Sequence, residues 1–179
     1  MRNTVMSSGP TLPAPVRPDP AVPTPSAIGR GVLRRLAHLY WRFARPMTLG
    51  VRAVILHPDK GVFLVKHSYV AGWHLPGGGV EAGETIVASM VREVEEEANI
   101  VVTGEPVLHG VFFNVHASRR DHVVVYVVTT FKERGPRLPD REIVEASFFP
   151  LDGLPDDTTR GTRERLDEIA GRRPPSPTW

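Results

Sequence analysis

Three glutamates in REVEEEAN (92–99) stand at i, i+3 and i+4: Glu93, Glu96 and Glu97. On a helix that spacing gathers three carboxylates on one face. Like charges so placed repel one another, and Glu95 adds to the local charge. A solvated face more often intersperses lysines among its glutamates, whereas the basic residue in this segment is Arg92. Clustered carboxylates without basic partners suit a hard divalent cation such as Mg²⁺, with water and phosphate oxygens completing its shell. Two readings stand on these residues alone: a metal-holding face, or a solvated acidic one.

Just before that helix, WHLPGGGVEAGE (73–84) places four glycines and two glutamates after an apolar strand pattern. Clustered glycine marks a tight turn or a close backbone approach, because glycine gives up the most conformational entropy on folding. From Gly78 the spacing runs through five residues to Glu84, then seven residues to Arg92-Glu93-Val94-Glu95-Glu96-Glu97-Ala98-Asn99-Ile100. This resembles the Nudix box, G-x5-E-x7-R-E-U-x-E-E-x-G-U, in which U is a bulky aliphatic residue. The departure is Asn99 at the last glycine. A helix commonly ends in a left-handed residue there, and asparagine is the next best choice after glycine.

The resemblance implies hydrolysis of a nucleoside diphosphate linked to a further group, by attack of water on phosphorus, with Mg²⁺ or Mn²⁺ as cofactor. By position, Glu93, Glu96, Glu97 and the Gly77 carbonyl hold the metal, and Glu93 or Glu96 takes the proton from water. Arg92 orients the carboxylates and pairs with Glu84, while Gly78 keeps the loop close. The family often recruits a further acid, for which Glu142 and Glu145 in DREIVEASFF are the candidates. Arg119 and His122, in SRRDHVVV, could meet a phosphate or base, or simply line a solvated hairpin. The expected partner is a small nucleotide-type diphosphate, with no DNA. The alternative function is a non-catalytic nucleotide-binding module on the same fold, which the intact REVEEE core argues against. The substrate stays open.

The elements that must position these residues follow from periodicity. Strand patterns cover 49–56, 61–67, 106–116, 121–131 and 145–151. VVVYVV is apolar on both faces, as expected of a central strand covered on both sides. Helical patterns cover 85–98, with Val87, Met90, Val91, Val94 and Ala98 as the buried stripe, and 158–170. The expected fold is α/β: a Nudix-like α/β/α sandwich with a mixed sheet over 47–171, then a C-terminal tail at 172–179.

Seven prolines fall within the first 25 residues, so 1–27 reads as a disordered Pro-rich tail. Residues 28–46 read as a basic amphipathic helix, with Leu33, Leu36, Ala37, Tyr40, Phe43 and Ala44 on one face and arginines mostly opposite. That face needs a cover: the domain itself, a second copy in a homodimer, or, weakly, an anionic membrane surface met by residues 31–45. Residues 1–46 carry seven arginines against one aspartate, a net +6, while 15 basic and 19 acidic residues leave 47–179 at −4. The pI near 9.3 is therefore no nucleic-acid footprint on the domain. Cysteine is absent, which excludes disulfides and thiolate chemistry and fits a cytoplasmic setting.

Overall fold

Alternation along TLGVRAVILH sends Val51, Ala53 and Ile55 to one side of a strand and Val54 to the other. All four are fully buried, so this strand runs between two cores. The computed structural model describes residues 47–179. The expectations for 1–27 and for the helix at 31–45, including its homodimer and membrane readings, fall outside the described residues.

The elements in chain order are β1 (Thr48–His57), β2 (Gly61–His67), β3 (Trp73–His74), α1 (Ile86–Ala98) and β4 (Ile100–Val102). There follow β5 (Val107–Phe113), β6 (Asp121–Val128), β7 (Phe131–Glu133), β8 (Ile143–Phe149) and α2 (Arg160–Ile169). The main sheet runs β3-β2-β1-β6-β5, with β8 paired to β2. β1 and β6 are parallel, from Thr48 opposite Asp121 to Ile55 opposite Val128, and the other pairs are antiparallel. β4 and β7 form a separate two-stranded ribbon. No helix among the described residues is long and apolar enough to cross a membrane.

The sheet is mixed and covered on both faces. Met90, Val94 and Ala98 of α1 pack against Val51, Ala53, Ile55, Phe63, Val65, Val124 and Val128. On the other face Leu166 of α2 meets Val54, Val62, Leu64, Phe112, Val123 and Val125. The strand β6 is thus central, as its two-sided apolar pattern requires. Val87, expected in the buried stripe of α1, is 39% exposed. Glu97 is buried in the same helix. The helix is rolled toward its acidic edge.

Residues 172–179, expected as a tail, close onto the domain. The Phe113 amide donates to the Pro177 carbonyl at 3.0 Å, and the Trp179 amide donates to the Phe113 carbonyl at 3.0 Å. Beneath them Arg165 is fully buried, its guanidinium 4.0 Å from the Phe112 ring centre and 5.6 Å from that of Trp179. Arg165 donates to Glu168 at 2.6 Å and to the Thr178 carbonyl at 3.0 Å. Glu168 also meets His109 at 3.0 Å and accepts from the Ser176 amide at 2.9 Å. These bonds offset much of the cost of burying the charge pair, although Arg165 Nε itself has no hydrogen-bond partner.

Candidate active site

β1 and β2 pair only at their hairpin end, where Leu56 faces Val62 and His57 faces Gly61. Beyond it they diverge, and the chain from β3 to Val80 fills the gap. The Val51 amide donates to the Gly78 carbonyl at 2.8 Å, the Ala53 amide to Pro76 at 2.9 Å, and the Val80 amide to Leu49 at 2.9 Å. The glycine loop is therefore zipped to β1 like a short strand. Gly77 sits at φ 141°, and a Cβ there would strike the Val51 carbonyl. At Gly78 a Cβ would collide with the Glu93 carboxylate. These two glycines let backbone and acid come together.

α1 is launched by Thr85, whose hydroxyl accepts from the Ala88 amide at 3.1 Å, and ends at Asn99 in the left-handed region (φ 54°, ψ 37°). Asn99 also donates its amide side chain to the Gly135 carbonyl at 3.2 Å. We expect Asn99→Gly to leave activity and melting temperature within a small margin. Asn99→Ala should cost about 1–2 kcal/mol, the strain of a Cβ in this conformation, seen in chemical denaturation. A large activity change in Asn99→Gly would place Asn99 on the substrate instead.

Arg92 ties the acids together. It donates to Glu84 at 3.0 and 3.2 Å, to Glu93 at 2.7 Å and to Glu96 at 3.4 Å. Arg92 in turn holds Glu84 below the usual carboxylate range. The Ser89 hydroxyl donates to the Gly79 carbonyl at 3.2 Å, fixing the loop to the helix. Glu97 points inward, and its Oε2 accepts from the Gly77 amide at 2.8 Å. Burial pushes the Glu97 carboxyl up to about 7, against the Gly77 amide and the Arg52 charge, which pull it down. Glu96 is the most open of the three, with its side chain 60% exposed, against 13% for Glu93.

Glu142, in the loop before β8, joins this cluster: a donor atom of Glu142, one of Glu97 and one of His67 all lie within 4.8 Å of one another. Glu145 sits within β8 opposite Lys66 and outside that group. Arg119 is exposed in the turn before β6, and His122 tilts against Phe113 with 5.3 Å between ring centres. His122 lies across β1 from the glycine loop, opposite Leu49, and Arg119 and His122 are outside the His67–Glu97–Glu142 group. A cavity of about 350 Å³ opens beside Glu96, lined by Glu95, Asn99, Pro136, Arg137 and Leu138. A larger one of about 630 Å³, around Leu56 and His57, contains none of the helix glutamates.

Three residues of the site escaped the sequence reading. Arg52 of β1 donates to the carbonyls of Leu75, at 3.1 Å, and of Gly77. His67 ends β2 with its Nε2 3.7 Å from Glu97, and burial, then the charges of Arg52 and His74, lowers its proton affinity. Tyr69 donates its hydroxyl to Glu142 at 3.2 Å. For Arg52 and His67 the one local signal is a charged or polar residue in an apolar strand pattern, which equally marks a solvated strand face, and Tyr69 lies in the loop after β2 with no such signal. The helix carboxylates and Glu142 offer the oxygen donors that a hard divalent cation takes, with the His67 imidazole beside them.

A model of the NUDIX domain matches residues 46–169. The ADP-ribose pyrophosphatase of Methanocaldococcus jannaschii is 32% identical over 104 residues, covering 56% of this chain and 61% of that protein. The 8-oxo-dGDP phosphatase of Mus musculus is 43% identical over 108 residues, 59% of this chain and 33% of that protein. The chain thus spans less than two thirds of the length of either relative. Among solved structures, a MutT NUDIX hydrolase from Burkholderia pseudomallei superposes with a TM-score of 0.60 at 27% identity, covering 69% of this chain and 98% of that one. A UDP-X diphosphatase gives a TM-score of 0.55 at 25% identity, covering 79% and 72%.

Proposed function

The chain belongs to the NUDIX domain family, and from that premise we propose that it hydrolyses a diphosphate linkage in a nucleoside diphosphate joined to a further group. The observation that carries this reading is the Arg92 fork, which gathers Glu84, Glu93 and Glu96 beside the Gly77–Glu97 hydrogen bond. Glu93, Glu96, Glu97 and the Gly77 carbonyl would hold Mg²⁺ or Mn²⁺. When bound, such an ion neutralises phosphate oxygens and makes a water more acidic.

The chain's own groups do the rest. The Gly77 amide fixes one Glu97 oxygen and leaves the other free. Arg92 holds Glu93 against Gly78 and keeps the acids from splaying apart. Glu96, the most exposed and least tightly held of the three, is the proton acceptor for the attacking water. The cavity beside Glu96 gives the leaving part of a substrate room.

The test is a substrate panel: ADP-ribose, UDP-linked sugars, 8-oxo-dGDP, nucleoside triphosphates and capped RNA, each with Mg²⁺ and with Mn²⁺. We expect turnover of at least one diphosphate, abolished by a chelator and restored by the metal. No turnover of any, with the cation bound normally, would replace the enzyme with a nucleotide-binding module.

A further inference from the structure

The loop joining β7 to β8 carries an arginine that lies outside the Arg92 fork. Among residues 134–142 only Arg137 is half-buried, with its side chain 16% exposed, and the rest are exposed. Pro136 and Pro139 stand on either side of it, and each ring fixes its own φ, so this stretch has few conformations open to it. All three guanidinium nitrogens are committed to the protein. Nε donates to the Glu96 carbonyl at 2.8 Å, Nη1 to the Leu138 carbonyl and Nη2 to the Asp140 carboxylate.

The first of these bonds reaches the helix that bears the acids. Glu96 is in the last turn of α1, where carbonyls have no intrahelical partner and the helix dipole favours a cation. That turn has no basic residue of its own, so Arg137 supplies the charge from another element. At the far end of the guanidinium, Nη2 takes one Asp140 oxygen, while the other oxygen accepts from the amides of Glu142 and Ile143, each at 2.8 Å. A continuous chain of bonds therefore runs from the end of α1 through Arg137 and Asp140 to the Glu142 backbone. From the β2 side the Glu142 carbonyl accepts from the Ser68 amide at 2.8 Å, and its carboxylate from the Tyr69 hydroxyl at 3.2 Å. Arg134 and Gly135 also tie the loop to α1, through Glu95 and Asn99, but at its start and well before Glu142.

We propose that Arg137 is a positioning residue: through Asp140 it sets the Glu142 carboxylate against the acids of α1. This rests on the proposed hydrolase reading, in which Glu142 is the further acid of the site. Charge alone does not suffice. The planar fork spans the Glu96 carbonyl and Asp140 at once, which the point charge of a lysine cannot do.

The experiment compares Arg137→Gln, Arg137→Lys, Glu142→Gln and the double Gln variant in the full chain, on any substrate of the panel that is turned over. Arg137→Gln should lower kcat and kcat/KM together by at least about tenfold, the scale for a residue that orients a functional group. Arg137→Lys should stay impaired. On the Glu142→Gln background Arg137→Gln should add little, because the two residues act as one unit. Amide hydrogen exchange at Glu142 and Ile143 should quicken in Arg137→Gln while β1 and β6 stay protected, which shows an intact fold. Asp140→Asn, at an exposed position, should lower kcat as well, and so tests the same link should the Arg137 variant misfold. A full further loss on the Glu142→Gln background would overturn the proposal, as would recovery in Arg137→Lys. A raised KM with unchanged kcat would make Arg137 a substrate contact instead. Turnover of no substrate ends the hydrolase reading, whereas unchanged exchange at Glu142 and Ile143 ends this one.

Discussion

Glu97→Gln should lower turnover by at least about 100-fold while the fold stays intact, the scale of losing one electrostatic group in an active site. The glutamine oxygen can accept the same Gly77 amide hydrogen that Glu97 takes at 2.8 Å, so loop and helix stay joined. What disappears is the charge that a divalent cation needs. Stability should move the other way. Burial raises the Glu97 carboxyl from 4.5 to about 7, so the folded state prefers its neutral form. Without a cation, this group's contribution is fully present below pH 4.5 and is lost as pH rises through about 7. Metal-free Glu97→Gln should therefore melt at or above wild type at pH 8, and added Mg²⁺ should raise wild type more than the variant. Near-normal turnover in the variant would move the metal site elsewhere.

Arg165→Ala should destabilise the domain by about 3–5 kcal/mol, the cost of leaving a buried charge without its partner. In melting temperature that is roughly 10–20 °C for a domain of this size. The variant takes away the charged partner of buried Glu168, leaving it His109 and the Ser176 amide, frees the Thr178 carbonyl and removes the cation stacked on Phe112. Replacing Arg165 and Glu168 together by apolar residues should cost clearly less than Arg165→Ala, because no unpaired charge remains. Burial pushes the Glu168 carboxyl up, but His109, Arg165 and the Ser176 amide outweigh it and hold it below the usual range. Its stabilisation is thus present at neutral pH and lost as acidification passes through that lowered value. Guanidinium denaturation of the single and double variants measures all of this. A loss under about 1 kcal/mol in Arg165→Ala would show that the C-terminal segment is held mainly by its backbone pairing.

Much of the site was legible because it is local in the chain. The period of α1, the five- and seven-residue spacings and the left-handed Asn99 are properties of 23 neighbouring residues, 78–100. Arg52, His67 and Tyr69 were not legible because their partners lie 25, 30 and 73 residues away, at Gly77, Glu97 and Glu142. Nothing in the alternation of β1 says which of its faces will meet the glycine loop. The strands β3, β4 and β7 have two or three residues each, too few to carry a period. PPSPTW reads as an unpacked tail, since only tertiary contacts with β5 and α2 order it. Val87 misled for the same reason: helix periodicity gives a stripe, while the neighbouring sheet decides how far the helix rolls.

The zipping of the glycine loop to β1 also sets an order of events for a chain that starts unfolded. β1 is completed by β6, with Thr48 opposite Asp121, which closes a span of 73 residues. Parallel pairing across so long a span is slow, because closure entropy is lost before any contact rewards it. α1 can flicker into existence on its own within about a microsecond. Its glutamates then have no loop to face, since Gly77 and Gly78 find their places only along β1. The acid cluster thus assembles only once the glycine loop has docked along β1.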